Sequence, residues 1–266
     1  MQRKIDFHTH CFPEKIAGKA LDKLSQSAGG LKYHTDGTVD GLKKAMQSQD
    51  VSASVVLNIA TNEKQQKSVN DFAAVINNED GIFAFGSVYP FSEDALDELE
   101  RIKELGLKGV KLHPEYQDFF VDDERLKPIY EKISKLGLIT VFHSGKDLAY
   151  KPPYKCSPER LLKALGWMSG PVIAAHWGAS GLSNDVIKYL CGTDVYFDTA
   201  FGYGYISEDE AKRIIDIHGT DKILFGTDSP WSYPEREIEL INALDLSESD
   251  KNKIFYENGK NLLKIN

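Results

Sequence analysis

Lys4-Ile5-Asp6-Phe7-His8-Thr9-His10, near the start of a chain of 266 residues, is a short apolar run that ends in a pair of histidines. Its first half reads as a β-strand, and the same unit recurs. Apolar, β-branched runs appear at Lys4 to His8, Val51 to Ile59, Ile82 to Val88, Gly109 to His113, Leu138 to His143, Pro171 to His176, Val195 to Thr199 and Ile223 to Asp228. That makes eight predicted strands. Between them lie segments of helical spacing, such as Ala95, Leu96, Leu99, Ile102 and Leu105, or Leu126, Ile129, Tyr130, Ile133 and Leu136. Helix punctuation agrees: Ser92 precedes Glu93 and Asp94, Gly106 follows Leu105, and Gly137 follows Leu136. Strands buried on both faces and separated by helices are expected to run parallel. Eight such units predict a single (β/α)8 TIM barrel over residues 1–266, with some distortion allowed, and a doubly wound sheet as runner-up.

Composition narrows the partners. The chain is 41% hydrophobic and 27% charged, with 40 acidic against 32 basic residues and a net charge of −8. Such a balance disfavours nucleic acid and anionic membrane and favours a small-molecule substrate. Cys11, Cys156 and Cys191 lie far apart, suggesting neither a disulfide framework nor a cysteine metal cage. No apolar run approaches the roughly 18 residues of a membrane span, and the first residues lack a signal-like apolar region. A reducing, cytoplasmic setting is expected. The outer helices of such barrels often pair, so a homodimer fits the reading.

The informative regularity is where the histidines fall. Five of the seven, His8, His10, His113, His143 and His176, sit at or just beyond the carboxyl ends of predicted strands. In a barrel those ends form one face, the face that carries the active site. Asp228, in Leu224-Phe225-Gly226-Thr227-Asp228, joins the same ring. His8 and His10 flank Thr9, so both imidazoles point to one side of the strand. A third imidazole, His143, and the carboxylate of Asp228 complete an N3O donor set. That set suits Zn²⁺ and is compatible with Mn²⁺, Fe²⁺ or Co²⁺, with solvent in the open position. A lone His-x-His is common by chance; the convergence of five such groups is what carries the metal reading.

Taken together, Ile5-Asp6-Phe7-His8-Thr9-His10, Gly109-Val110-Lys111-Leu112-His113-Pro114, His143, Ala175-His176-Trp177-Gly178 and Phe225-Gly226-Thr227-Asp228 resemble the amidohydrolase superfamily. The Lys-Leu-His-Pro stretch and Asn258-Gly259-Lys260-Asn261-Leu262 are similar to its amidohydrolase-related branch, which includes aminocarboxymuconate-semialdehyde decarboxylase. The resemblance implies His8, His10, His143 and Asp228 as metal ligands and His176 as an acid/base or electrophilic residue. It implies hydrolysis of an amide, ester or lactone by metal-activated water, with Asp228 accepting the proton. The alternative it implies is decarboxylation of a small aromatic or enol acid. A non-catalytic ligand-binding barrel is the contrasting class, disfavoured by an open ligand set with His113 and His176 to spare.

Lys111 and His113 are expected on the inward face of the fourth strand, with Val110 and Leu112 outward. Both are candidate substrate contacts, as is Trp177. Lys111 would neutralise a substrate carboxylate or, if carboxylated, bridge a second metal; otherwise one metal per subunit is expected. Asp6 is expected to face away from His8 and His10 in a structural role, and Cys11 to be a packed thiol. Asp198 and the aromatic loop Phe201-Gly202-Tyr203-Gly204-Tyr205 are expected to shape the pocket. His34 and His218 are read as surface residues, and Trp231 as a further candidate wall. The loops Pro13 to Val39, Glu115 to Asp122 and Ser144 to Pro158 are expected to select the substrate.

Overall fold

Strand and helix alternate from end to end in the computed structural model, which describes residues 3–265. The strands are β1 (Lys4–Thr9), β2 (Val51–Leu57), β3 (Ile82–Phe85), β4 (Gly109–Leu112), β5 (Ile139–Phe142), β6 (Val172–Ala174), β7 (Tyr196–Asp198) and β8 (Ile223–Leu224). After β1 come α1 (Glu14–Ser27) and α2 (Val39–Ser48), and after β2 to β4 come α3 (Gln66–Ile76), α4 (Ala95–Glu104) and α5 (Lys127–Leu136). After β5 to β7 come α6 (Pro158–Leu165), α7 (Ser183–Tyr189) and α8 (Glu208–His218). The chain ends with α9 (Pro234–Ala243), α10 (Glu248–Asn252), a π-helical turn and α11 (Asn258–Leu263).

Every strand pair is parallel, in two ladders, β1-β2-β3 and β4 to β8. Short contacts close both seams. Between β3 and β4, Gly86 N donates to Gly109 O and Lys111 N to Gly86 O. Between β8 and β1, Phe7 N donates to Phe225 O, Asp228 N to His8 O and His10 N to Ser229 O. The result is the expected TIM barrel. All eight predicted strands are present, but seven of them lack one to four of the residues assigned at the carboxyl ends. There the chain leaves the ladder to reach over the barrel mouth, and His176 and Asp228 take positive φ, 61° and 65°.

Two apolar clusters divide inside from outside. Ile5, Phe7, Val55, Val141, Ile173 and Leu224 belong to the one that fills the barrel interior. Val56, Val110, Leu112, Phe142, Phe197 and Phe225 belong to the other, between strands and helices. The expected alternation of β4 is therefore present, with Val110 and Leu112 facing the helices. Gly109 has no side chain because a Cβ would lie 2.5 Å from the Phe85 ring. α11 stops the amino end of the barrel: Leu263 joins the interior cluster, and Gly259 lies against Ile5 and Phe7.

Local signals set the helix limits. Gly137 caps α5 in the left-handed conformation, and prolines occupy the first turns of α5, α6 and α9. The cap of α4 is Asp94 rather than Ser92, whose hydroxyl instead donates to the Asp94 carboxylate. α1 lies within a stretch expected to be loop.

Candidate active site

His8 is inside β1, and His10, His113 and His143 each stand one residue beyond β1, β4 and β5. His8, His10 and Asp228 converge so that one ligand atom from each lies within 4.8 Å of the others. Asp228 Oδ1 is 3.1 Å from His10 Nε2 and 3.5 Å from His8 Nε2. His143 does not join that triplet. Its Nε2 faces the Asp147 carboxylate at 3.8 Å, within a second group formed by His113, His143 and Asp147. Rings of the two groups touch through His176, whose centroid is 4.9 Å from His8 and 4.8 Å from His143.

The outer partners of these rings decide which nitrogen is free. His8 Nδ1 is 2.8 Å from Asp198 Oδ2, and His10 Nδ1 is 2.8 Å from Leu57 O. A carbonyl oxygen only accepts, and so does an ionised carboxylate, so both Nδ1 atoms carry the proton and both Nε2 atoms present lone pairs. His176 Nδ1 is bound by Ala200 O at 3.2 Å, and its Nε2 lies 3.0 Å from His143 Nδ1. Where His176 Nε2 accepts, His143 donates through Nδ1, and its own Nε2 is left with a lone pair. That Nε2 is buried and has no hydrogen-bond partner among the described residues. Burial drives His8, His113 and His143 well below the ordinary histidine range, which keeps them uncharged. Burial would raise Asp228, but its close contacts with His10, His8 and His176 outweigh it and hold the carboxyl at about 2. Neutral imidazoles with outward Nδ1–H donors, beside an ionised carboxylate, are the donors a divalent transition metal requires.

Residues 5–265 match the family model described as amidohydrolase. The chain belongs to the amidohydrolase family. It is an enzyme of that superfamily, whose members are metal-dependent. No curated protein matches the sequence. Among solved structures it is similar to an uncharacterised TIM-barrel protein from Bordetella bronchiseptica, with 17% identity, 98% of each chain covered and a TM-score of 0.79. It is also similar to a dihydroxybenzoic acid decarboxylase from Polaromonas with bound manganese and the inhibitor 2-nitroresorcinol: 18% identity, 99% of this chain and 97% of that one covered, TM-score 0.73. A probable 2-pyrone-4,6-dicarboxylic acid hydrolase from Acinetobacter baumannii, with citric acid bound, shares 16% identity over all of both chains at a TM-score of 0.69.

In this amidohydrolase the triplet opens into a cavity of about 510 Å³. His8, His10, His113, His143, His176, Lys111 and Asp228 all line it, as do Cys11, Phe201 and Trp231. All three loops expected to select the substrate reach its walls, through residues such as Leu31, Tyr116 and Leu148, and α3 adds Val69 and Phe72. Lys111 is 1% exposed, its Nζ is 3.4 Å from His8 Nε2, and burial lowers its pKa to about 8. His113 stacks on His143 at 4.1 Å and on Tyr116 at 3.7 Å.

Several expectations need correcting. Trp177 is not a cavity wall: it is 3% exposed, belongs to the outer cluster, and its indole nitrogen packs where a Cβ on Gly202 would sit. His218 is no free surface group, since its ring stacks on Phe197 at 4.1 Å and Nε2 donates to Val195 O; His34 is exposed as expected. Asp6 does face away from the site, but simple alternation would not put it there, because positions 6, 8 and 10 share parity. A register shift between Asp6 and Thr9 turns the chain, and Asp6 instead accepts from Thr227 N and Oγ1. Asp198 does more than shape the pocket: besides His8 it accepts from His176 N and Ala200 N. Asp147 was missed altogether, because a loop aspartate carries no periodic signal.

Glu237 braces the mouth from behind. It is fully buried, and its carboxylate accepts from Gly202 N, Tyr203 N and Ser232 Oγ. Burial raises its pKa to about 8 against those bonds. The folded state therefore holds a proton that the unfolded state releases near the ordinary glutamate value, so this contribution to stability is lost as pH rises from about 4.5 to about 8. Unfolding free energies of the native protein and Glu237→Gln, measured across that range, are expected to diverge by a few kcal/mol, on the order of the shift, with the native protein losing ground at higher pH. Parallel curves would refute the assignment.

Proposed function

We propose that this amidohydrolase is a metal-dependent hydrolase that cleaves an ester, lactone or amide of a small organic substrate. The observation that carries the reading is Asp228, whose two oxygens have different surroundings. Oδ1 faces the Nε2 atoms of His8 and His10, while Oδ2 has no hydrogen-bond donor among the described residues, and Asp228 lines the cavity. One oxygen is thus placed to ligate and the other to take a proton from attacking water. His8, His10, Asp228 and, with its ring turned from Asp147, His143 would hold one divalent ion, with zinc the first choice and manganese the second. When bound, that ion supplies a lowered water pKa and a polarised substrate carbonyl.

The remaining roles follow from position. Lys111 and His113 contact the polar end of the substrate, and Lys111 as an ammonium offsets negative charge on it. His176, tied to His143 and Ala200 O, holds the His143 tautomer and, by proximity, steadies charge that develops on oxygen. Apolar walls such as Phe12, Phe72 and Trp231 exclude bulk water.

Decarboxylation of an aromatic acid is the second reading. It is favoured by those same flat apolar walls beside the buried cation of Lys111, and by the decarboxylase among the similar structures. Product analysis separates the two. Metal-loaded protein incubated with aryl esters, lactones and hydroxylated benzoates is expected to release acid and a new carboxylate from the first two groups. Carbon dioxide from the benzoates, without hydrolysis of the others, would replace the first reading with the second. Neither product from any of them would count against both.

A further inference from the structure

Beside the catalytic cavity lies a second one of about 430 Å³, and the two share Ala28, Leu31, Leu148, Phe201 and Trp231 as a common wall. The outer cavity is therefore a vestibule to the inner one. Its own lining differs in chemistry, with Lys32, His34 and Arg236 alongside Tyr203 and Tyr205. In a chain of net charge −8, this places three basic side chains together at the entrance to the site.

Their charges are not spent within the protein. Among the described residues neither Lys32 nor Arg236 forms an ion pair, and the Arg236 guanidinium rests 5.8 Å over the ring of Tyr203. The carboxylate next to Arg236 in sequence, Glu237, is turned away and consumed by the backbone of Gly202 and Tyr203 and by Ser232. The three basic groups also sense one another: after burial, Arg236 and then Lys32 lower the pKa of His34. Lys32 and Arg236 are exposed at this pocket and so open to an incoming anion, and a guanidinium is suited to bind a carboxylate through two parallel hydrogen bonds.

We propose that the vestibule is an anion subsite in which Lys32 and Arg236 hold a carboxylate at the end of the substrate remote from the reacting centre. The substrate is then an elongated organic dianion with an apolar or aromatic middle. Its reacting end lies at His8, His10 and Asp228, its middle passes Phe201 and Trp231, and its far carboxylate meets Arg236. This rests on the catalytic reading above.

Calorimetric titration of the metal-loaded protein at low salt tests it, using linear α,ω-dicarboxylates of increasing length, each paired with the monocarboxylate of equal length. Beyond the length that spans the two cavities, the dicarboxylate is expected to bind about tenfold tighter than its partner. Lys32→Ala/Arg236→Ala should abolish that advantage while monocarboxylate affinity changes less than about twofold, and Arg236→Lys should restore part of it. Added salt should shrink the advantage in the native protein. Equal binding of mono- and diacids at every length, no binding of either, or a preference that survives the double substitution would overturn the subsite. Failure of turnover or metal uptake with the preference intact would instead remove only the catalytic reading.

Discussion

Alanine at both His8 and His10 is expected to strip the protein of transition metal and to lower kcat/KM by about three orders of magnitude or more. Elemental analysis of protein purified without chelator should find about one zinc or manganese per chain in the native form and almost none in the double variant. The reason is geometric. These two Nε2 atoms and Asp228 Oδ1 already lie within ligating reach of one another and line the open cavity. Without them Asp228 keeps only its electrostatic interactions with groups such as His176 and the buried Lys111. Thermal unfolding should show that the variant still folds, because Ile5 and Phe7 carry the barrel packing of β1. About two metals per native chain would point to carboxylation of Lys111, whose Nζ lies 3.4 Å from His8 Nε2. Full metal content in the double variant would sink the proposed centre.

Much of this site was legible in the sequence because strand ends in a barrel share one face. That rule brought His8, His10, His113, His143, His176 and Asp228 to one cavity from positions 220 residues apart along the chain, counting from 8 to 228. It failed where alternation breaks. The register shift in β1 decides that Asp6 is structural, and a register shift leaves no trace in a hydrophobic pattern. Trp177 illustrates the other limit. Being next to His176 suggested a wall, but positive φ at both residues turns the indole outward into the helix layer. Asp147 and the vestibule groups Lys32 and Arg236 lie on loops and a helix start, where spacing predicts nothing about which side chains meet. Only coordinates reveal that His143 Nε2 turns toward Asp147 rather than toward the triplet.

Asp198→Asn is the sharper test of how the site is built, because it removes no proposed ligand and little volume. In the native protein the Asp198 carboxylate accepts from His8 Nδ1–H at 2.8 Å through Oδ2, while Oδ1 takes the amides of His176 and Ala200. Asparagine can keep its oxygen on those two amides, and its NH2 must then point at His8. A donor there forces His8 Nδ1 to accept, which moves the ring proton to Nε2 and blocks the lone pair the metal needs. Metal affinity is expected to fall about 10- to 100-fold, the usual cost of losing such an outer partner. Activity should fall at limiting metal and recover substantially when metal is raised, whereas His8→Ala/His10→Ala stays inactive at any concentration. Metal affinity and kcat/KM equal to those of the native enzyme would show that Asp198 does not set the His8 tautomer. Loss that excess metal never repairs would mean that Asp198 holds the backbone of His176 and Ala200 rather than the imidazole of His8.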